Sequence, residues 1–199
     1  MKMPEYEMMR KHVFEQLESN LDYRLYYHGI HHTKNYVLPA VEHLAYLENI
    51  KGESLILLLS AAVLHDIGYI EKYENNEIIA ASIAEELLPK FTYTSKQIEL
   101  IKAMIMATAL PQTAKTLSEK IICDADLCHF GADNFITISN SLWRELIEFG
   151  YNISKDQWNE DTLNFLNTHS YWTDTASIEW NKQKAVNIRR LSEQIKNKL

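Results

Sequence analysis

Turn-forming residues are scarce in this sequence. Five glycines and four prolines among 199 residues give too few turn signals for a many-stranded sandwich or barrel, and they leave room for long helices. Cysteine is scarcer still. Cys123 and Cys128 are the only two, too few for a disulfide framework and suited to a reducing compartment. A basic excess is also absent: 20 Lys and Arg stand against 27 Asp and Glu, for a net charge of −7. Nucleic acid is therefore not the expected partner. A small phosphate substrate stays open, because a bound metal reverses the local field whatever the global charge. No long hydrophobic run is seen. The most apolar one, residues 55–64, is too short to span a bilayer, and residues 1–7 carry no apolar signal region. The expectation is a cytoplasmic protein with no membrane partner.

What is present reads as helix. Hydrophobic residues make up 46% and charged residues 24%, ordinary values for a folded chain, and no compositional break divides residues 1–199. Met9, Val13, Leu17 and Leu21 recur at i+4 and make one stripe. Residues 32–49 form a second helical stretch, with Pro39 expected to kink it or mark a restart. Residues 53–67 are apolar nearly all round, as a central buried helix is, and Gly68 is placed to cap them. Residues 75–88 form a helix stopped by Pro89. Capping boxes beginning at Thr94, Thr116 and Ser154 open three more. Thr175 or a neighbour opens the last, which runs almost to Leu199. No period-2 strand emerges. The predicted fold is all-α: about eight helices in one compact domain.

Three clusters carry chemistry. The first is His65-Asp66, at the end of the apolar stretch. Burying both unpaired costs several kcal/mol, and a metal ion compensates them, since imidazole and carboxylate both ligate divalent ions. Adjacent helical residues point about 100° apart, so they share an ion only near a helix end. The second cluster is His28, His31 and His32. On a helix His28 and His32 are i and i+4 and share a face, which suits one ligand plus one proton donor, or two ligands; a wet cluster at a helix start is the structural alternative. The third is Asp124-Ala125-Asp126 amid Ile, Cys and Leu. Charges rarely sit in apolar stretches unless paired or metal-bound. Cys123, Cys128 and His129 lack the spacing and further thiolates of a structural zinc site. No P-loop, dinucleotide fingerprint, nucleophile elbow or His-Glu-x-x-His occurs.

Together these clusters resemble the HD-domain superfamily of metal-dependent phosphohydrolases, whose pattern is His, then His-Asp, then Asp on a helical scaffold. Here the order is His32, His65-Asp66, Asp126, with spacings of 33 and 60 residues. The resemblance covers about residues 20–135, with C-terminal helices over 136–199. Tyr27-His28-Gly29-Ile30-His31-His32 is also similar to the Tyr-His-Asn-x-x-His segment of cyclic nucleotide phosphodiesterases and of small bacterial HD proteins, with Gly29 in place of Asn. The resemblance implies His28 as general acid and His32, His65, Asp66 and Asp126 as metal ligands, with Asp124 supporting them. Glu77 sits where some relatives carry His-Glu and is a candidate contact to water or substrate. Residues 142–145 and 165–169 and Lys184 match a recurrent pattern in small bacterial HD proteins without an assigned role. The acid found shortly after His-Asp in some relatives is replaced here by Ile67, Gly68, Tyr69 and Ile70.

The activity implied is hydrolysis of a phosphate ester of a nucleotide or related small molecule. One divalent ion (Mn, Fe, Co, Ni, Zn or Mg) is favoured, since only His43 and His129 are spare. Water activated by the ion attacks phosphorus and His28 protonates the leaving oxygen. Lys72, Arg144 or Lys184 are candidates to meet the remaining phosphate charge. The alternatives are a cyclic nucleotide phosphodiesterase-like activity, a non-catalytic metal- and nucleotide-binding sensor, and a diiron oxygenase.

Overall fold

The stripe of Met9, Val13 and Leu17 is buried on one face of α1 (Tyr6–Asn20). A computed structural model describes residues 4–197. Among these residues there are nine α-helices and no strand. The other eight are α2 (Leu38–Leu47), α3 (Gly52–Leu64), α4 (Asn76–Leu87), α5 (Ser95–Thr108), α6 (Leu117–Asp126), α7 (Phe135–Glu148), α8 (Lys155–Thr168) and α9 (Asp174–Lys196). The predicted continuation of the last helix towards Leu199 runs outside the described residues.

Helix α3 is the centre. Residues 61–64 are fully buried, and α1, α2, α5 and α6 all pack on this helix. Gly52–Ile70 is long and apolar enough, by length and composition alone, to cross a membrane, a longer stretch than the sequence reading allowed. It is mostly buried inside the fold, so its apolar surface meets other helices.

Local signals explain most boundaries. Thr94 and Thr116 each accept from the backbone N–H three residues on, and Gln97 and Glu119 reach back, so two predicted capping boxes form in full. Ser154 caps α8 from its side only; Gln157 donates to Asp161 instead. Pro39 marks a restart, as anticipated. It is the second residue of α2, and His32–Val37 before it winds as a π-helix. The wider turn suits a proline that has no N–H and whose ring crowds the preceding turn.

Helix α7 was not predicted. Asn134 makes no side-chain cap, and its first turn contains Ile136, Thr137 and Ile138, which are β-branched and poor helix signals. Gly68 is not a helix cap. Helix α3 ends at Leu64, and Gly68 lies in the short 3-10 turn Ile67–Ile70. Its constraint is a close approach: a Cβ there would stand 2.2 Å from the Asn76 carbonyl oxygen.

Candidate metal centre

Each donor side chain stands at, or just beyond, one end of an element. The π-helix supplies His32, the end of α3 His65 and Asp66, and the last turn of α6 Asp126. One donor atom each from His32, His65 and Asp66 lies within 4.8 Å of the others. His32 Nε2 is 3.0 Å from Asp126 Oδ1 and 3.7 Å from Asp66 Oδ2. His65 Nε2 is 3.2 Å from Asp66 Oδ2 and 3.7 Å from Asp126 Oδ1. Donors about 2.1 Å from one ion stand about 3.0–3.4 Å apart, so the spacing fits a shared cation.

The supporting hydrogen bonds say the same. His65 Nδ1 donates to the Ala62 carbonyl at 2.8 Å, which leaves Nε2 with its lone pair. Asn76 Nδ2 donates to Asp66 Oδ1 at 3.0 Å and to the His65 carbonyl at 3.1 Å. His65 Nε2 and Asp66 Oδ2 are buried without a hydrogen-bond partner. Two orphaned polar atoms turned towards each other in a core are costly unless something bridges them. The field is also right for a cation. Burial opposes charge on His65, yet the neighbouring aspartates raise its pKa to about 9.

His28 stands beside this cluster, its ring 6.0 Å from that of His32. The two do not share a helical face as predicted, because His28 precedes the helix. Its Nδ1 donates to Glu145 Oε1 at 2.5 Å. Glu145 is fully buried on α7. Its Oε2 accepts the backbone N–H of Tyr27 (2.7 Å) and of His28 (3.0 Å), and Oε1 also accepts Tyr73 Oη at 3.0 Å. Tyr69 stacks on His28 with ring centres 4.4 Å apart. Burial disfavours the imidazolium, but the Glu145 carboxylate outweighs it and the His28 pKa rises. Gly29 is needed here, because a Cβ would lie 2.7 Å from the Leu25 carbonyl oxygen and 2.9 Å from the His31 ring.

Residues 36–131 match the family model of the HD domain. The match supports the HD superfamily. It contains His65, Asp66, Glu77, Asp124 and Asp126 and begins just past His32. An uncharacterized protein of Clostridium beijerinckii is 32% identical over 80 residues, which are 38% of this chain and 51% of that protein. The chain thus spans about half the length of this curated relative. No solved structure matches the chain. The HD superfamily is one of metal-dependent phosphohydrolases, and the His-His-Asp cluster is compatible with that chemistry.

The other predicted residues fall in different places. Asp124 is not in the group of donor atoms formed by His32, His65 and Asp66. Its oxygens accept the backbone N–H groups of Trp172 (2.7 Å) and Thr173 (2.9 Å) and the Thr173 hydroxyl (2.7 Å). It anchors the start of α9, whose cap is Thr173 rather than Thr175. Glu77 is half-buried and lines the same cavity as His28, Asp66 and Asp126; burial raises its pKa. His129 is buried near His32, with its Nδ1 3.3 Å from Tyr27 Oη; burial and the His32 charge lower its pKa to about 3. His43 is exposed and paired with Glu179 at 2.9 Å, away from the cluster.

Glu145, Asn76, Tyr69 and Tyr73 were not singled out from the sequence. Glu145 lies in the 142–145 run, but Leu142, Trp143 and Leu146 are only partly buried and Arg144 is exposed, so no run of buried residues marks it. Asn76 follows Asn75, which takes a left-handed φ of 60°, a conformation asparagine tolerates. Nothing local marks its side chain as a partner of Asp66.

Proposed function

We propose that the protein is a metal-dependent phosphohydrolase that cleaves a phosphate ester of a nucleotide or related small molecule. The observation that carries this reading is the pair of orphaned atoms, His65 Nε2 and Asp66 Oδ2, close to His32 and Asp126, with Asp66 and Asp126 lining a cavity of about 700 Å³. His32, His65, Asp66 and Asp126 would hold one divalent ion. When bound, that ion supplies a Lewis acid and an activated water.

The rest of the chemistry belongs to the chain. His28 lines the cavity, and the Glu145 carboxylate takes its Nδ1–H, so Nε2 is left to pass a proton to the departing oxygen. The Glu145 carboxylate outweighs burial and raises the His28 pKa, which favours the protonated imidazole an acid needs. Tyr69 and Tyr73 hold the imidazole and its carboxylate in place. Glu77 is positioned at the cavity to orient water or substrate. A reducing cytoplasmic setting is part of the proposal: Cys123 and Cys128 are both unpaired thiols.

The test is turnover of a panel of nucleoside mono- and triphosphates, cyclic nucleotides and simple phosphate esters, each with Mn, Fe, Co, Ni, Zn or Mg. Ester hydrolysis that chelator abolishes and metal restores is expected. Metal binding without turnover of any ester would refute the reading.

A further inference from the structure

The cavity beside the donor cluster has an unusual lining for a phosphate site. Its volume of about 700 Å³ accommodates a ligand of drug-like size. Among the described residues, no Lys or Arg lines it. The three cations named from sequence are engaged elsewhere. Lys72 pairs with Glu74 at 3.5 Å. Arg144 lies over the Tyr26 ring and donates to its hydroxyl. Lys184 is buried and donates to the His169 carbonyl and ring.

Much of the wall is apolar: Leu127, Phe130, Phe135, Leu142, Leu146 and Phe165. Two of the polar groups there satisfy each other, since Trp158 Nε1 donates to Ser139 Oγ at 3.0 Å. The remaining charges are negative, Glu77 and Asp161. A divalent ion is neutralised by Asp66 and Asp126, and a protonated His28 by Glu145. No Lys or Arg is left over to meet further phosphates, and two carboxylates repel them. The apolar wall rewards an apolar body.

Resting on the phosphohydrolase reading, we propose that the substrate carries a single phosphate group, as a mono- or diester, on a large apolar or aromatic body. Nucleoside di- and triphosphates are excluded as good substrates.

The test is calorimetric titration of the Mn-loaded protein in saturating Mn. The probes are 2-naphthylmethylphosphonate, its methyl monoester, methylphosphonate and adenosine triphosphate. One or both naphthyl compounds should bind about 30-fold or more tighter than methylphosphonate, with the triphosphate no tighter than methylphosphonate. The better of the two tells monoester from diester recognition. Tightest binding by the triphosphate, or equal binding by naphthyl and methyl compounds, would overturn the inference. Phe165→Ala, at a partly exposed position, should cut the naphthyl preference about tenfold. Ile78→Lys, on the exposed rim of the cavity, should raise triphosphate affinity severalfold, and no gain would count against the charge argument. Turnover of the matching phosphate esters is followed in parallel. A naphthyl preference in binding with no turnover would refute hydrolysis while supporting the ligand class.

Discussion

An imidazole presents a fixed lone pair to a cation when its other nitrogen donates elsewhere, and a carboxylate aims one oxygen best when the other is held. The Ala62 carbonyl and Asn76 meet these two conditions for His65 and Asp66. Asn76→Ala should therefore weaken metal binding about 10- to 100-fold with His65 and Asp66 intact, which competition against a metal-sensitive dye measures. In the proposed reading His28 protonates the leaving group. His28→Asn should lower kcat for an alkyl phosphate about 10²- to 10³-fold and for a nitrophenyl ester much less, because nitrophenolate departs without a proton. Equal losses on both esters would remove the acid role. His65-Asp66 was legible because a polar pair at the end of an apolar run demands a partner. Asn76 and Glu145 were not, because their meaning comes from contacts 10 and 117 residues away along the chain.

Helix ends decide what each side chain reaches. The sequence marked most of these ends through proline and capping boxes, and it missed α7, which has no side-chain cap. That omission also hid Glu145. Asp124 shows the converse: a buried aspartate close in sequence to the candidate ligand Asp126 whose hydrogen bonds go to another helix. Its carboxylate ties the end of α6 to the start of α9 through three hydrogen bonds. Asp124→Ala should cost about 2–4 kcal/mol of stability, read from thermal unfolding, while the folded protein keeps its metal stoichiometry. Loss of metal at unchanged stability would return Asp124 to the centre. Gly68 couples the 3-10 turn to α4. Gly68→Ala pushes a methyl against the Asn76 carbonyl and should weaken metal binding as Asn76→Ala does.

At the scale of the whole molecule, the all-α class followed from scarce turn residues and helical apolar spacing, and it holds in the structure. The cavity did not, because its walls come from helices far apart in sequence. Two effects bear on the stability of the whole. His169 has its pKa lowered to about 4 by burial and by Lys184. The unfolded chain then binds the extra proton first, so stability falls as pH drops from about 6.5 towards 4. His169→Asn should flatten part of that slope in unfolding measurements. A ligand at one hundred times its Kd adds about 2.7 kcal/mol, so metal should raise the unfolding temperature by several degrees and chelator should reverse it. The most direct test of the central claim is elemental analysis of the purified protein beside His65→Ala and Asp66→Ala. The account predicts about one divalent ion per wild-type chain and its loss in both folded variants; full metal content in both would contradict it.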